Sequence, residues 1–327
     1  MSQADPLLLA LDYGGTKLTA ALTRPGRRDW LAHRRFFTPT AADGPYESQK
    51  MVELARDLLA EAAELPAAIG VSFGGPVFAP QGLVRLSHHV PGWENVPLAA
   101  RLRAEFGLPV AVDNDANVAA LGEYCFGAGA GSQNLLYVTV STGIGGGWII
   151  NGRPYGGADG MAGEIGHTLV QPGGLPCVCG RRGCLEAEAC GPGIANRARL
   201  YLAQEAAHAR PLLAQAGGNP QAITAQLIAQ TAAGGDPFSR RVLLESAERL
   251  GLGLANAITL MNPDRVILGG GVTKSGESWW QTVCNAARAN TLPEIRVEIV
   301  PAAFGDDAPL WGAVALAESM IKEPMSQ

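Results

Sequence analysis

The 327-residue chain has no stretch near the ~20 unbroken apolar residues that a bilayer-spanning helix needs. It has no excess of basic residues: 25 Lys and Arg stand against 30 Asp and Glu, a formal net charge of −5. Proteins that grip a phosphate backbone draw affinity from clustered cations, so nucleic acid is not an expected partner. The segment Met1 to Pro6 lacks a basic residue and carries Asp5, which argues against a secretory signal and for a cytoplasmic protein. Cysteine is sparse, six in all, too few for a disulfide scaffold in a chain this long. Two nucleotide signatures are also missing. There is no Walker A lysine motif, and Trp148 occupies the third-glycine slot of Gly143-x-Gly145-x-x, so P-loop and Rossmann readings fail.

What is present is 47% hydrophobic residues, ample for a core and incompatible with global disorder. At ~100–200 residues per domain, the length points to two domains. Glycine is abundant, 42 residues, and its placement carries the reading. Leu7 to Asp12, a turn at Tyr13-Gly14-Gly15-Thr16-Lys17, and Leu18 to Leu22 form a strand–turn–strand pattern. Leu135 to Val140 is a second apolar strand, broken at Ser141-Thr142-Gly143-Ile144-Gly145-Gly146-Gly147 and resumed at Trp148-Ile149-Ile150. The echo between the two patterns implies two related halves. A further strand, Asp264 to Leu268, ends in Gly269-Gly270-Gly271.

Helical spacing is read over 46–63, from Ala116, over 194–206, 220–232, 237–261 and 277–290, and from Pro309 to Ile321. Hairpins mixed with strand–helix alternation make the fold α/β. The expected lobes are 1–117, completed by 309–327, and 118–308.

Glycine turns let backbone N–H groups converge on an anion, because no Cβ intervenes. The turns at Gly14-Gly15-Thr16 and at Thr142-Gly143 with Gly145 to Gly147 can grip a polyphosphate from two sides. Asp12 is placed to hold Mg²⁺ directly or through water, and Lys17 adds positive charge. In Asp113-Asn114-Asp115-Ala116-Asn117, between a strand end and a helix start, one aspartate accepts a proton from an attacking hydroxyl. Asp115 is the candidate base and Asp113 the alternative.

Cys177-x-Cys179-x₄-Cys184, with His167 ten positions upstream, offers three thiolates and one imidazole. That set fits tetrahedral zinc, and a closed shell of four protein ligands is structural rather than catalytic. Glu164, His167 and Glu186 bracket the same loop. Carboxylates and an imidazole suit hydroxyl groups that both donate and accept, so these residues are read as polyol ligands.

Taken together, these residues resemble the ROK family (repressors, open reading frames and kinases) of sugar kinases, within the two-lobed actin-like, ribonuclease H-like ATPase fold. Leu11 to Lys17 resembles the first phosphate motif, and Thr142 to Gly147 the second. Gly269-Gly270-Gly271-Val272 resembles the turn near the nucleoside, which adds Gly270 and Gly271 to the nucleotide site. Asn114 to Asn117 is similar to the motif whose aspartate is the base, which favours Asp115 over Asp113. Gly163 to His167 with Cys177, Cys179, Cys184 and Glu186 resembles the zinc and sugar signature. Two places depart from the family pattern. Phe73-Gly74-Gly75-Pro76 stands where Pro-Gly-Pro is usual, and His89, beside His88, stands where an asparagine is common.

The resemblance implies ATP-dependent phosphorylation of a hexose or N-acetylhexosamine at a primary hydroxyl, the 6-OH, in an interdomain cleft. Glucose leads among the substrates, with N-acetylmannosamine, N-acetylglucosamine and fructose as alternatives and polyphosphate as an alternative donor. The implied sugar ligands are Gly75, Asn114, Asp115, Glu164, His167 and Glu186. A homodimer is also implied. The rival readings are a sugar-responsive repressor and a sugar-binding protein without turnover. The phosphate hairpin begins near Leu7 and no basic recognition helix is visible, which points to the kinase branch.

Overall fold

The computed structural model describes residues 5–87 and 90–322; His88 and His89, read above as a departure, lie outside them. The chain opens with β1 (Leu8–Gly14), β2 (Lys17–Thr23) and β3 (Ala32–Phe37), followed by α1 (Gly44–Glu61) and β4 (Ala68–Phe73). A small hairpin, β5 (Val77–Phe78) and β6 (Leu83–Val84), precedes α2 (Leu98–Phe106), β7 (Val110–Asn114) and α3 (Asp115–Phe126). The second series is β8 (Leu135–Val140), β9 (Ile144–Ile150), β10 (Arg153–Tyr155), α4 (Leu185–Ala189), α5 (Gly191–Gln204), α6 (Arg210–Gln215), α7 (Ala225–Ala233) and α8 (Pro237–Met261). It continues through β11 (Arg265–Gly269), α9 (Glu277–Ala289) and β12 (Glu298–Pro301), and α10 (Ala308–Lys322) closes the described chain.

The strands make two five-stranded sheets of the same order, β3-β2-β1-β4-β7 and β10-β9-β8-β11-β12. The repeated order is the duplication that the two glycine hairpins announced. In the first sheet β2 runs antiparallel to β1 and β3, while β4 lies parallel to β1 and β7. This is the mixed α/β sheet of the actin-like ATPase fold.

β1 is apolar on both faces because both are covered. Leu9, Leu11 and Tyr13 pack with Met51, Leu58 and Leu102 from α1 and α2. Leu8 and Ala10 pack with Leu310, Ala313 and Val314 from α10. The backbones of α3 and α10 approach closely: a Cβ on Gly312 would lie 1.7 Å from the Val118 carbonyl oxygen. The first helix starts where Asp43 accepts from the Tyr46 amide.

By its contacts the chain forms two compact units. One holds the residues up to Tyr137, Gly147–Ala162 and those from Ala302 on; the other holds Val138–Gly146 and Gly163–Pro301. This division differs from the boundary expected at 117. That position falls inside α3, a continuous helix whose packing on α10 keeps all of it in the first unit. Among the described residues, no helix is long and apolar enough to cross a membrane.

Candidate active site and metal centre

In the first unit, Gly14 pairs with Lys17, which leaves Gly15 and Thr16 as a two-residue turn. Asp12 lies behind the turn, almost fully buried, and its Oδ1 accepts from Ser72 Oγ at 2.8 Å. Burial pushes its carboxyl up to about 6, against the opposing pull of the Ser72 hydrogen bond and the Lys17 and Arg35 charges. A cation beside this group would favour its ionised form.

Gly74 connects the hairpin to the next loop. Its amide donates to the Tyr13 carbonyl at 2.9 Å. A Cβ built on it would stand 3.6 Å from the Gly15 nitrogen and 3.8 Å from Asp115 Oδ2. The first glycine turn and the Asp115 carboxylate therefore flank one small residue. Phe73 does not line this place: it is buried edge-on against Trp93, ring centroids 4.8 Å apart. Trp93 in turn donates its indole N–H to Glu47 at 2.9 Å.

Asp115 begins α3 and its Oδ1 accepts from the Ala116 amide at 2.8 Å. Asn114 is the N-cap. Its Oδ1 accepts from the amides of Ala116 (3.0 Å) and Asn117 (3.4 Å), and its Nδ2 donates to the Gly75 carbonyl at 3.0 Å. Asp113 points into the protein instead. Its Oδ1 accepts from the Asn114 amide and from Asn117 Nδ2, and burial pushes its carboxyl up to about 6. Three adjacent polar residues thus have three tasks: a half-buried anchor, a helix cap and a carboxylate at the turn.

In the second unit, the second glycine turn is shorter than the sequence reading had it. Ser141 donates to the Gly143 carbonyl at 2.9 Å, and β9 resumes at Ile144. Gly145 therefore lies in a strand rather than in the turn. Gly147 belongs to the first unit, where a Cβ would stand 2.4 Å from the Ala116 carbonyl oxygen. Its lack of a side chain serves packing against the start of α3. Ser141, Thr142 and Gly271 line a cavity of about 920 Å³, together with Pro192, Thr224 and Lys274. Gly270, with φ +88°, packs against Val140, and its carbonyl accepts from Thr273 Oγ1 at 2.7 Å.

Glu186 on α4 holds this turn: its Oε2 accepts from the Ile144 amide at 2.9 Å. Glu164 is half exposed, with Oε2 4.0 Å from His167 Nε2. The other ring nitrogen, Nδ1, is 3.7 Å from Cys177 Sγ. The ligand atoms of His167, Cys177, Cys179 and Cys184 all lie within 4.8 Å of one another, and Cys179 Sγ is 3.6 Å from Cys184 Sγ. A tetrahedral ion with bonds of ~2.3 Å spaces its sulfurs ~3.8 Å apart, so the four residues fit a zinc-type centre. Arg181 draws the Cys179 thiol down to about 6, while burial pushes Cys184 up to about 12. A divalent ion would relieve the repulsion among three thiolates held this close.

The sequence reading missed Ser72, the partner of Asp12, and a buried pair, Glu188 and Arg197. Ser72 meets Asp12 across sixty residues, and Glu188 meets Arg197 only through the packing of consecutive helices, so neither pair has a motif of its own.

The chain matches the ROK family over residues 8–320. It is 39% identical to a glucokinase from Halalkalibacterium halodurans over 248 residues, 75% of this chain and 74% of that one. Among solved structures, the ROK hexokinase of Thermus thermophilus superposes with a TM-score of 0.83 at 33% identity, covering 97% of this chain and 99% of that one. A ROK glucokinase from Streptomyces griseus, solved with glucose and AMPPNP, gives 0.78 at 33% identity, covering 96% and 99%. With the family matched from β1 to α10 and the motifs on the same scaffold, this chain belongs to the ROK family.

Proposed function

We propose that the protein transfers the γ-phosphoryl group of ATP to a primary hydroxyl, the 6-OH, of a hexose or N-acetylhexosamine, with glucose favoured. The observation that supports this most directly is the Gly15 amide and the Asp115 carboxylate flanking Gly74, with Asp12 on the strand that leads into the turn. Phosphoryl transfer needs positioning and charge stabilisation more than covalent help from the protein.

In this reading Asp115 accepts the proton of the sugar hydroxyl as its oxygen bonds to the γ-phosphorus and the bond to the β,γ-bridging oxygen breaks, releasing ADP. Asp113, already accepting two hydrogen bonds on one carboxylate oxygen, is the weaker candidate. Gly14, Gly15, Thr16 and Lys17 take the phosphates, with Thr142, Gly143, Gly145, Gly270 and Gly271 on the nucleotide. Mg²⁺ brought with ATP neutralises phosphate charge, and Asp12 would hold it directly or through water. Gly75, Asn114, Glu164, His167 and Glu186 are assigned to the sugar. His167, Cys177, Cys179 and Cys184 would hold a structural zinc ion, which fixes the loop that precedes Glu186. A homodimer is part of the same reading.

The test is incubation with MgATP and a panel of glucose, N-acetylmannosamine, N-acetylglucosamine and fructose, scored by ADP release, with polyphosphate as a second donor. Release with glucose supports the reading. Sugar binding without ADP release from any member indicates a regulator or a sugar-binding protein instead.

A further inference from the structure

The segment that carries the three cysteines is tied at both ends to α4. At its far end Cys184 is the N-cap of that helix, and the Glu188 amide donates to the Cys184 carbonyl at 3.1 Å. At its near end the Leu175 amide, two residues before Cys177, donates to Glu188 Oε1 at 2.6 Å. One side chain therefore closes the loop from 175 to 188. The carboxylate takes the room a side chain would need at residue 174, where a Cβ would stand 2.1 Å from Glu188 Oε1.

Arg197 on α5 binds the other carboxylate oxygen, and the two residues are 5% and 3% exposed. Arg197 Nε is also 3.9 Å from Glu245 Oε2, which accepts from the Tyr201 hydroxyl at 2.7 Å. A buried carboxylate anchored in this way has little freedom to swing away from Leu175. Glu186, which holds the glycine turn through Ile144, sits inside the closed segment.

We propose that Glu188, held by Arg197, is a positioning residue that clasps the metal loop shut, preassembles its thiols and fixes the place of Glu186. The inference rests on reading the cysteine cluster as a metal centre and Glu186 as a sugar ligand. Ligands held before the ion arrives lose less freedom on binding it, so a clasp raises affinity without touching the ion.

The experiment measures zinc content, zinc release to a chromophoric chelator, and KM for sugar and for ATP. It compares the wild type with E188Q, E188L and the double variant E188L/R197M. The double variant replaces the buried pair by apolar groups and so separates loss of the clasp from the burial of an unpaired arginine. The clasp predicts that both leucine variants release zinc about 10-fold faster or more. It predicts a raised sugar KM with a smaller rise in ATP KM, and substantial rescue in E188Q, whose amide oxygen can still accept from Leu175. A double variant that keeps wild-type zinc release overturns the clasp while leaving the metal reading intact. A wild type that takes up no zinc overturns the metal reading and the clasp with it.

Discussion

Glu186 Oε2 accepts the backbone N–H of Ile144 at 2.9 Å, and the same oxygen lies 2.6 Å from where a Cβ on Gly143 would stand. A residue assigned to the sugar therefore also shapes the turn assigned to the nucleotide. Glu186→Gln keeps an acceptor for the amide and loses only the charge. Glu186→Ala loses both, and a charge-assisted hydrogen bond of this kind is worth about 1.5–3 kcal/mol. Both variants are expected to raise the sugar KM, and only the alanine variant to raise the ATP KM as well. Steady-state kinetics with each substrate varied in turn checks this; an unchanged ATP KM in Glu186→Ala removes the link.

Asp115 opens α3, and its Oδ1 accepts from the next amide. Asn at this position keeps that acceptor and loses the basicity, so the helix start should survive. Asp115→Asn is expected to lower kcat by about 10²–10⁴-fold with sugar affinity largely retained. Calorimetric sugar titration beside the ADP assay separates the two quantities. A kcat near wild type would exclude Asp115 as the base.

Much of this arrangement was legible because its signals are local. Leu135–Val140 reads as a strand from an apolar run ending at a glycine turn, and the structure has the same bounds. The cysteine spacing and His167 announce a cluster that the fold does assemble. Other features depend on distant partners. β3, Ala-His-Arg-Arg-Phe-Phe, carries no strong alternation and becomes a strand by pairing with β2. The end of the second glycine turn was misplaced because a run of three glycines carries no periodicity; pairing in the sheet, not residue type, makes Gly145 to Gly147 a strand. Ser72 meets Asp12 only because β4 lies beside β1, with the two residues in register.

Burial raises the carboxyls of Asp12 and Asp113 from 3.8 to about 6. Between those values the folded chain keeps protons that the unfolded chain has released. The stability these protons confer is complete below 3.8 and is lost as pH rises through about 6, a change of about 3 kcal/mol for each group. Asp113→Asn removes the ionisation while leaving an oxygen for the Asn114 and Asn117 donors. The variant is expected to be more stable than the wild type near ~pH 8 and equal to it near ~pH 3.5. Urea unfolding at the two pH values tests the sign, and the same gain at both would show that ionisation is not the cause.

The α3–α10 crossing tolerates no side chain at Gly312, where a methyl group would meet the Val118 carbonyl oxygen at 1.7 Å. Backbone cannot yield as a flexible side chain does. Gly312→Ala is expected to destabilise the first unit by about 1–3 kcal/mol or more, through displacement of α10. α3 carries Asp115 at its start, so kcat should fall along with the unfolding midpoint. An unfolding free energy within ~0.5 kcal/mol of wild type would show that the helices can separate at little cost.

Metal removal tests the remaining link between the cysteine loop and substrate. Three thiols and an imidazole lie within 4.8 Å, and without a cation no ion binds these four side chains to one another. Chelation should therefore loosen the loop and, through Cys184 at the N-cap of α4, the helix that bears Glu186. The expected result is a lower thermal midpoint and a raised sugar KM, reversed by zinc. The ATP KM should move less, since Thr142, Gly271 and Lys274 lie outside the loop. Cys179→Ser should act in the same direction by removing one soft ligand. Elemental analysis fixes the zinc content before and after chelation. If metal-free protein keeps the wild-type sugar KM, the loop does not set the position of Glu186.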